Sequence, residues 1–195
     1  MMEAHHSSAA HDPSLPPLPE DERILLLLGL LTSQDRHGYE INDFIEHQLA
    51  CVTDLKKATA YQLLDRLEQH ELITSRAEQH GQRPTRKVYA LTESGHAHFM
   101  RLLTAQLREE EPLILPGNVP IMFCEHLPLP ERLSALEERI GKLEARLKTY
   151  DYLLSKVSLT TGVGLSMERI QAVTQADLVW MKDLLGRWQA EQPQK

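Results

Sequence analysis

Between Lys56 and His70, Ala60, Leu63, Leu64 and Leu67 recur at helical spacing and form one apolar stripe, while Thr59, Gln62, Arg66 and Gln69 fall on the opposite side. Hydroxyl, amide and guanidinium groups in that pattern are equipped to meet base edges, which a helix reaches in the major groove of a duplex. The same pattern also suits an ordinary solvated helix face, and composition alone leaves both readings open. Downstream, Leu72 to Glu78 and Thr85 to Leu91 are strand-length and flank His80-Gly81-Gln82-Arg83-Pro84, a Gly/Pro turn. They predict a basic β-hairpin whose Arg83, Arg86 and Lys87, with Lys56 and Lys57 at the helix entrance, would contact phosphates and fix position without reading sequence. Asp65 lies beside these groups, where a carboxylate repels phosphate unless it pairs with Arg66 or faces cytosine N4.

These residues sit in a chain of 195 residues, 42% hydrophobic and 25% charged, a composition that excludes a disordered polymer. Its 33 leucines outnumber seven valines and eight isoleucines, which points to a mainly α fold with a small β-hairpin rather than a β-sandwich. A net charge of −7 argues against indiscriminate coating of nucleic acid, because such binding needs excess Lys and Arg. The charge is uneven, however: Asp54 to Leu91 holds seven basic and five acidic residues. Cys51 and Cys124 are too few and too distant for a disulfide framework, so the reducing cytoplasm is the expected compartment. The apolar run Ile24 to Leu31 is too short to span a bilayer, and no membrane partner is expected.

Catalytic signatures such as Gly-x-Ser-x-Gly, a P-loop or His-Glu-x-x-His do not occur, and Gly162-Val163-Gly164 reads as a flexible break, so neither an enzyme nor a cofactor is expected. His47 and Cys51 are four apart and could share a soft ion, yet two ligands are too few for a metal site. His5, His6 and His11 lie without a scaffold in residues 1–19, a proline-rich segment expected to be a mobile tail.

Residues 20–111 read as one domain. An apolar helix ending near Leu31 is followed by a polar turn, Thr32 to His37, and a helix from Gly38 in which Tyr39, Phe44, Ile45 and Leu49 recur while Glu40, Asp43, Glu46 and His47 face solvent. Tyr39 and the leucines of 25–31 are expected in the core, with Gly38 permitting a tight helix entry. Thr92 is a good N-cap for a helix to about Arg108 that carries Phe99, Leu102, Leu103 and Leu107 inward. Residues 112–130 form a proline-broken connector expected to pack between domains. In 131–195, Leu133, Leu136, Ile140, Leu143, Leu147, Tyr150, Leu154 and Val157 alternate steps of three and four, the repeat of a helix-to-helix seam. This seam is the candidate dimer interface, in preference to an intramolecular hairpin with the last helix. That helix, Met167 to about Gln189, is expected to bring Ile170, Val173, Trp180, Leu184 and Trp188 to one side.

Helices, basic hairpin and long helix in this order resemble a winged helix-turn-helix, and particular residues are similar to the PadR family of bacterial transcriptional regulators. The resemblance covers about Ile24 to Gly95. It rests on Leu28-Gly29-Leu30-Leu31, His37-Gly38-Tyr39-Glu40-Ile41, Thr59-Ala60-Tyr61-Gln62-Leu63-Leu64-Asp65-Arg66-Leu67-Glu68 followed by Leu72-Ile73, and Arg86-Lys87-Val88-Tyr89-Ala90-Leu91-Thr92-Glu93-Ser94-Gly95. Where the family usually has a small cap, a glycine, a proline after the tyrosine and a helix-ending glycine, this chain has Lys56, Ala58, Gln62 and Glu71. The cap then moves to Asp54 or is lost.

The resemblance implies an N-terminal winged helix-turn-helix domain with a C-terminal helical dimerisation region, with Tyr61 joining the residues at the DNA. It further implies a repressor reading double-stranded DNA through recognition helix 56–70 and wing 76–87. A homodimer would set two such helices about 34 Å apart on an inverted repeat. A small aromatic effector is implied as well, with Phe123, Tyr150, Trp180 and Trp188 as candidate pocket residues that would otherwise be core. The alternatives are a winged-helix protein-interaction module and a metal-responsive regulator.

Overall fold

The structure, a computed structural model, describes residues 15–48, 53, 55–79, 86–110, 112, 114–115 and 117–191, without the side chains of His47 and Gln48. Most of the N-terminal tail, the hairpin tip with Arg83, and Leu49, Cys51, Asp54 and Leu113 therefore lie outside the described residues. The chain divides into two compact units at Glu111/Pro112.

In the first unit α1 spans Glu22–Leu30, with the Asp21 carboxylate capping the backbone N–H groups of Arg23 and Ile24 at 3.0 and 3.3 Å. Its buried residues Ile24, Leu27 and Leu28, continued by Leu31, follow the i, i+3, i+4, i+7 spacing of one helical stripe. α2 (Gly38–Gln48) contributes Ile41 and Ile45, and α3 (Lys57–Gln69) contributes Ala60, Leu63, Leu64 and Leu67 to the same core. Full burial of each such leucine stabilises the unit by about 1.5–3 kcal/mol.

Strands β2 (Ile73–Glu78) and β3 (Arg86–Leu91) form the hairpin, with Ile73 opposite Leu91 and Glu78 opposite Arg86. The polar turn read from sequence also contains a two-residue strand, β1 (Arg36–His37), so the sheet has three antiparallel strands in the order β1-β3-β2. Two residues carry no alternation for a pattern to detect. α4 (Glu93–Gln106) starts at Thr92, whose hydroxyl accepts from the Gly95 N–H at 3.0 Å. It ends before the expected Arg108, leaving Leu107 79% exposed rather than inward.

Helix α3 closes through a left-handed residue. Glu71 has φ 57°, and its N–H bonds to Glu68 O while the Leu72 N–H bonds to Leu67 O, both at 3.0 Å. An L residue there costs about 1–2 kcal/mol, of which glycine recovers part because its unfolded chain is freer. Glu71→Gly is therefore expected to raise stability by about 0.5–1 kcal/mol, measured as a higher urea midpoint at unchanged slope.

In the second unit, α5 (Asn118–Met122) and a single 3₁₀ turn (Cys124–His126) precede two long helices, α6 (Leu129–Leu154) and α7 (Gly162–Ala190). The connector residues Ile114, Val119, Met122 and Phe123 are exposed. α7 begins five residues before the expected Met167, because Thr161 caps it by accepting from the Gly164 N–H at 3.1 Å; the glycines that read as a break form its first turn.

The α6 stripe finds its partner within the chain. Leu136, Ile140, Leu143 and Leu147 pack against Leu178, Met181 and Leu184 of α7, flanked by Tyr150, Leu185 and Trp188. Leu133 is buried, while Leu154 and Val157 are half-buried. Arg139 with Asp177 (3.5 Å) and Lys182 with Glu144 (2.6 Å) border the seam. Within this chain the repeat forms a hairpin with the last helix, the alternative weighed against a seam between two chains. Trp180 is 43% exposed because it lies one position, about 100°, from the buried Met181.

Candidate nucleic-acid interface

Helix α3 presents three faces. The buried stripe holds it to the core, and the row diametrically outward, Ala58, Gln62, Asp65 and Gln69, is exposed throughout. Between them, Tyr61 and Glu68 turn toward the wing, while Thr59 and Arg66 flank the other side.

At its entrance the cap residue is Lys56, which supplies no side-chain hydrogen bond; Asp54 lies outside the described residues. Both Lys56 and Lys57 are exposed. First-turn N–H groups to which Lys56 gives no side-chain cap, together with two ammonium groups, form an anion-attracting end.

Arg66 does not join the outward row. Its guanidinium donates to the Pro17 carbonyl at 2.5 Å, while the neighbouring His70 ring nitrogen lies 3.1 Å from Pro16 O, so residues 16–17 run along this side of the helix. Leu18 packs against the core, and Glu20 pairs with Arg101 of α4 at 2.5 Å. Arg66 therefore fastens the preceding segment instead of facing outward as a base reader.

The wing side is a network. Lys87 Nζ lies 3.2 Å from Glu68 and 3.6 Å from Asp65 of α3, and Ser75 donates to Glu68 at 2.5 Å. Asp65 thus pairs with the wing and not with Arg66. The Ser75 hydroxyl and then Lys87 hold the Glu68 carboxyl below its ordinary value of 4.5, outweighing the upward push of burial. A carboxyl with a lowered folded-state pKa adds stability that is present above its unfolded value and lost as pH falls through the folded one. Glu68→Gln should accordingly melt below wild type at neutral pH, with the gap closing as pH drops below 4.5, checked by thermal melts across that range.

Arg86 lies over the Tyr39 ring, 4.5 Å from its centroid, and Tyr39 stacks on His37. Tyr39 is 45% exposed and part of this surface, correcting its expected place in the core. Arg76, also on the hairpin, is engaged by Asp35 (2.6 Å) and Glu78 (3.0 Å). Together Tyr39, Tyr61, Tyr89, Arg86, Lys87 and Asp65 line an open cleft of about 720 Å³ over Gly38. A Cβ at Gly38 would stand 3.0 Å from Tyr61 and 3.1 Å from Tyr89, so glycine relieves crowding between these rings. Nothing in the sequence pattern signals Tyr89 and Tyr39 as partners of one cleft.

The four aromatic residues considered for an effector do not converge. Phe123 and Trp180 are exposed. Arg132 lies over the Trp188 ring at 5.3 Å, whereas Tyr150 is 18 residues further along α6, about 27 Å away at 1.5 Å per residue. Among the described residues no cluster of three or more His, Cys, Asp or Glu could hold a metal, and no helix is long and apolar enough to cross a membrane. Cys51 and the His47 side chain lie outside the described residues.

Three core helices, an exposed face on the third, and a wing latched to it define a winged helix-turn-helix module. Residues 27–101 match the transcriptional regulator PadR-like family. An uncharacterized protein of Lysinibacillus sphaericus is 31% identical over 94 residues, 47% of this chain and 86% of that protein. The chain belongs to the PadR-like family of transcriptional regulators, which is not an enzyme class. Its fold is shared with Bacillus subtilis PadR in complex with operator DNA, at 21% identity and TM-score 0.75 over 85% of this chain and 98% of that one. The same Bacillus subtilis protein in complex with p-coumaric acid matches at 20% identity and TM-score 0.68, over 89% and 99% of the two chains.

Proposed function

We propose that this chain is a dimeric, ligand-responsive repressor that binds an inverted repeat in double-stranded DNA within the cytoplasm. The observation that carries the reading is the outward row of α3, free of the core beside a wing, with the exposed Lys56 and Lys57 at its entrance. Gln62 meets base edges, and Lys56, Lys57 and Arg86 contact phosphates, while Lys87 braces the wing against α3. Thr59 and Tyr61 border the groove on either side of Gln62. The operator complex of the Bacillus subtilis relative supports DNA as the partner, and its p-coumaric acid complex supports a small aromatic effector.

Dimerisation through the second unit is supported by apolar side chains that α6 and α7 leave uncovered, Val179 and Trp180 among them. An effector acts by favouring one separation of the two recognition helices over another. Light scattering tests the dimer, expected at about twice 22.3 kDa, and footprinting on the gene's own upstream region tests the DNA reading. A protected pair of half-sites about one helical turn apart supports it; the absence of any protection at low salt overturns it. Quenching of Trp180 and Trp188 by planar aromatic acids tests the effector.

A further inference from the structure

We propose that Asp65 is a specificity-determining residue that selects cytosine in each half-site. This rests on the DNA-binding reading above and goes beyond it, because it assigns a base to a side chain. Asp65 stands in the outward row one turn after Gln62, with its side chain 59% exposed. A rise of about 4.5 Å separates the two along the axis, close to the roughly 3.4 Å spacing of stacked base pairs. What Gln62 can reach on one pair, Asp65 can reach near the next.

A carboxylate is an acceptor only, so what it can meet in the groove is narrowly defined. Guanine O6 and N7 and thymine O4 are acceptors and repel it; adenine N6 donates, but N7 beside it repels. Cytosine N4 is a donor flanked in the groove by an acceptor on one side only, O6 of its paired guanine, whereas adenine N6 is flanked on both sides by N7 and thymine O4, so cytosine suits an ionised Asp best.

The network around Asp65 lets it make this contact without stranding a charge. Lys87 is shared, and its nearer partner is Glu68 at 3.2 Å, itself fixed by Ser75; Asp65 is the farther one at 3.6 Å. When Asp65 turns to a base, Glu68 retains Lys87, while Arg86 on the same cleft offsets the repulsion between the carboxylate and nearby phosphates.

The test is selection from a randomised duplex pool at low salt by the full-length chain and by its D65A and D65N variants. Wild type is expected to enrich one cytosine column per half-site, preferred about tenfold over other bases. D65A should flatten that column alone. D65N should turn it to adenine, because an amide pairs with N6 and N7 together. Since the side chain is exposed, both variants should keep the wild-type circular dichroism, which separates a reading role from a folding one. A column that is unchanged in both variants, or the lack of any cytosine column, overturns the proposal while the DNA reading stands. Failure of wild type to enrich any duplex overturns both.

Discussion

Gly95→Ala is expected to destabilise the first unit by at least about 3 kcal/mol and to lower its melting temperature by roughly 10–20 °C, read by far-ultraviolet circular dichroism. A Cβ on residue 95 would stand 1.9 Å from the Leu72 carbonyl oxygen and 2.9 Å from its carbon, both backbone atoms that cannot rotate away. Relief requires the start of α4 to retreat by more than an ångström. That start is bonded to the turn after α3: Thr92 N–H donates to Leu72 O at 3.2 Å, Thr92 Oγ1 donates to Glu71 O at 2.8 Å, and Ser94 Oγ donates to Glu71 O at 3.0 Å. A retreat would break these bonds and pull on the left-handed Glu71, which sets where α3 stops and the wing begins. The same substitution has the opposite sign elsewhere. Gly141 and Gly186 lie inside α6 and α7 with nothing within 4 Å of a built Cβ, so alanine there should stabilise by about 0.5–1 kcal/mol through helix propensity.

Gly95 also illustrates what a sequence can display. Thr92 as an N-cap is visible because capping is local, a hydroxyl bonding an N–H three residues on. The three helices and the hairpin are visible because burial on one face imposes a period, and Ile24, Leu27, Leu28 and Leu31 keep it without a break. Arg66 is misplaced by the same reasoning: its helical position is right, but its fork is taken by the carbonyl of Pro17, 49 residues away in sequence. Tyr39 stands about 110° round α2 from the middle of the buried stripe Gly38, Ile41, Asn42 and Ile45, and its exposed ring carries Arg86 from another element. The α6 repeat specifies that a partner helix exists and is silent about which chain supplies it. Local capping and burial periodicity were therefore legible in the first unit. The candidate interface, which is made of side-chain partnerships between α2, α3 and the hairpin, was legible only by resemblance.

The second large effect concerns charge. Neutralising Lys56 and Lys57 together is expected to weaken duplex binding about 30-fold at 0.15 M salt and to reduce the slope of log affinity against log salt by about 1.8, because each lost phosphate contact removes about 0.9 from the slope. The effect should be this large in an acidic protein because, among the described residues, few other cations of this face are uncommitted. Lys87 is held by Glu68 and Asp65, Arg76 by Asp35 and Glu78, and Arg66 by Pro17. A phosphate reaching any of these must displace a partner, whereas Lys56 and Lys57 are exposed at a helix end whose N–H groups already favour anions. Gln62→Ala is the matching control, expected to relax base preference and leave the salt slope intact, since an amide releases no counterion. Anisotropy titrations over a series of salt concentrations distinguish the two, and an unchanged slope in the double lysine variant would remove the α3 entrance from the interface. Binding that is flat in salt for wild type itself would instead favour an apolar protein partner, since counterion release is the one large term such an interface lacks.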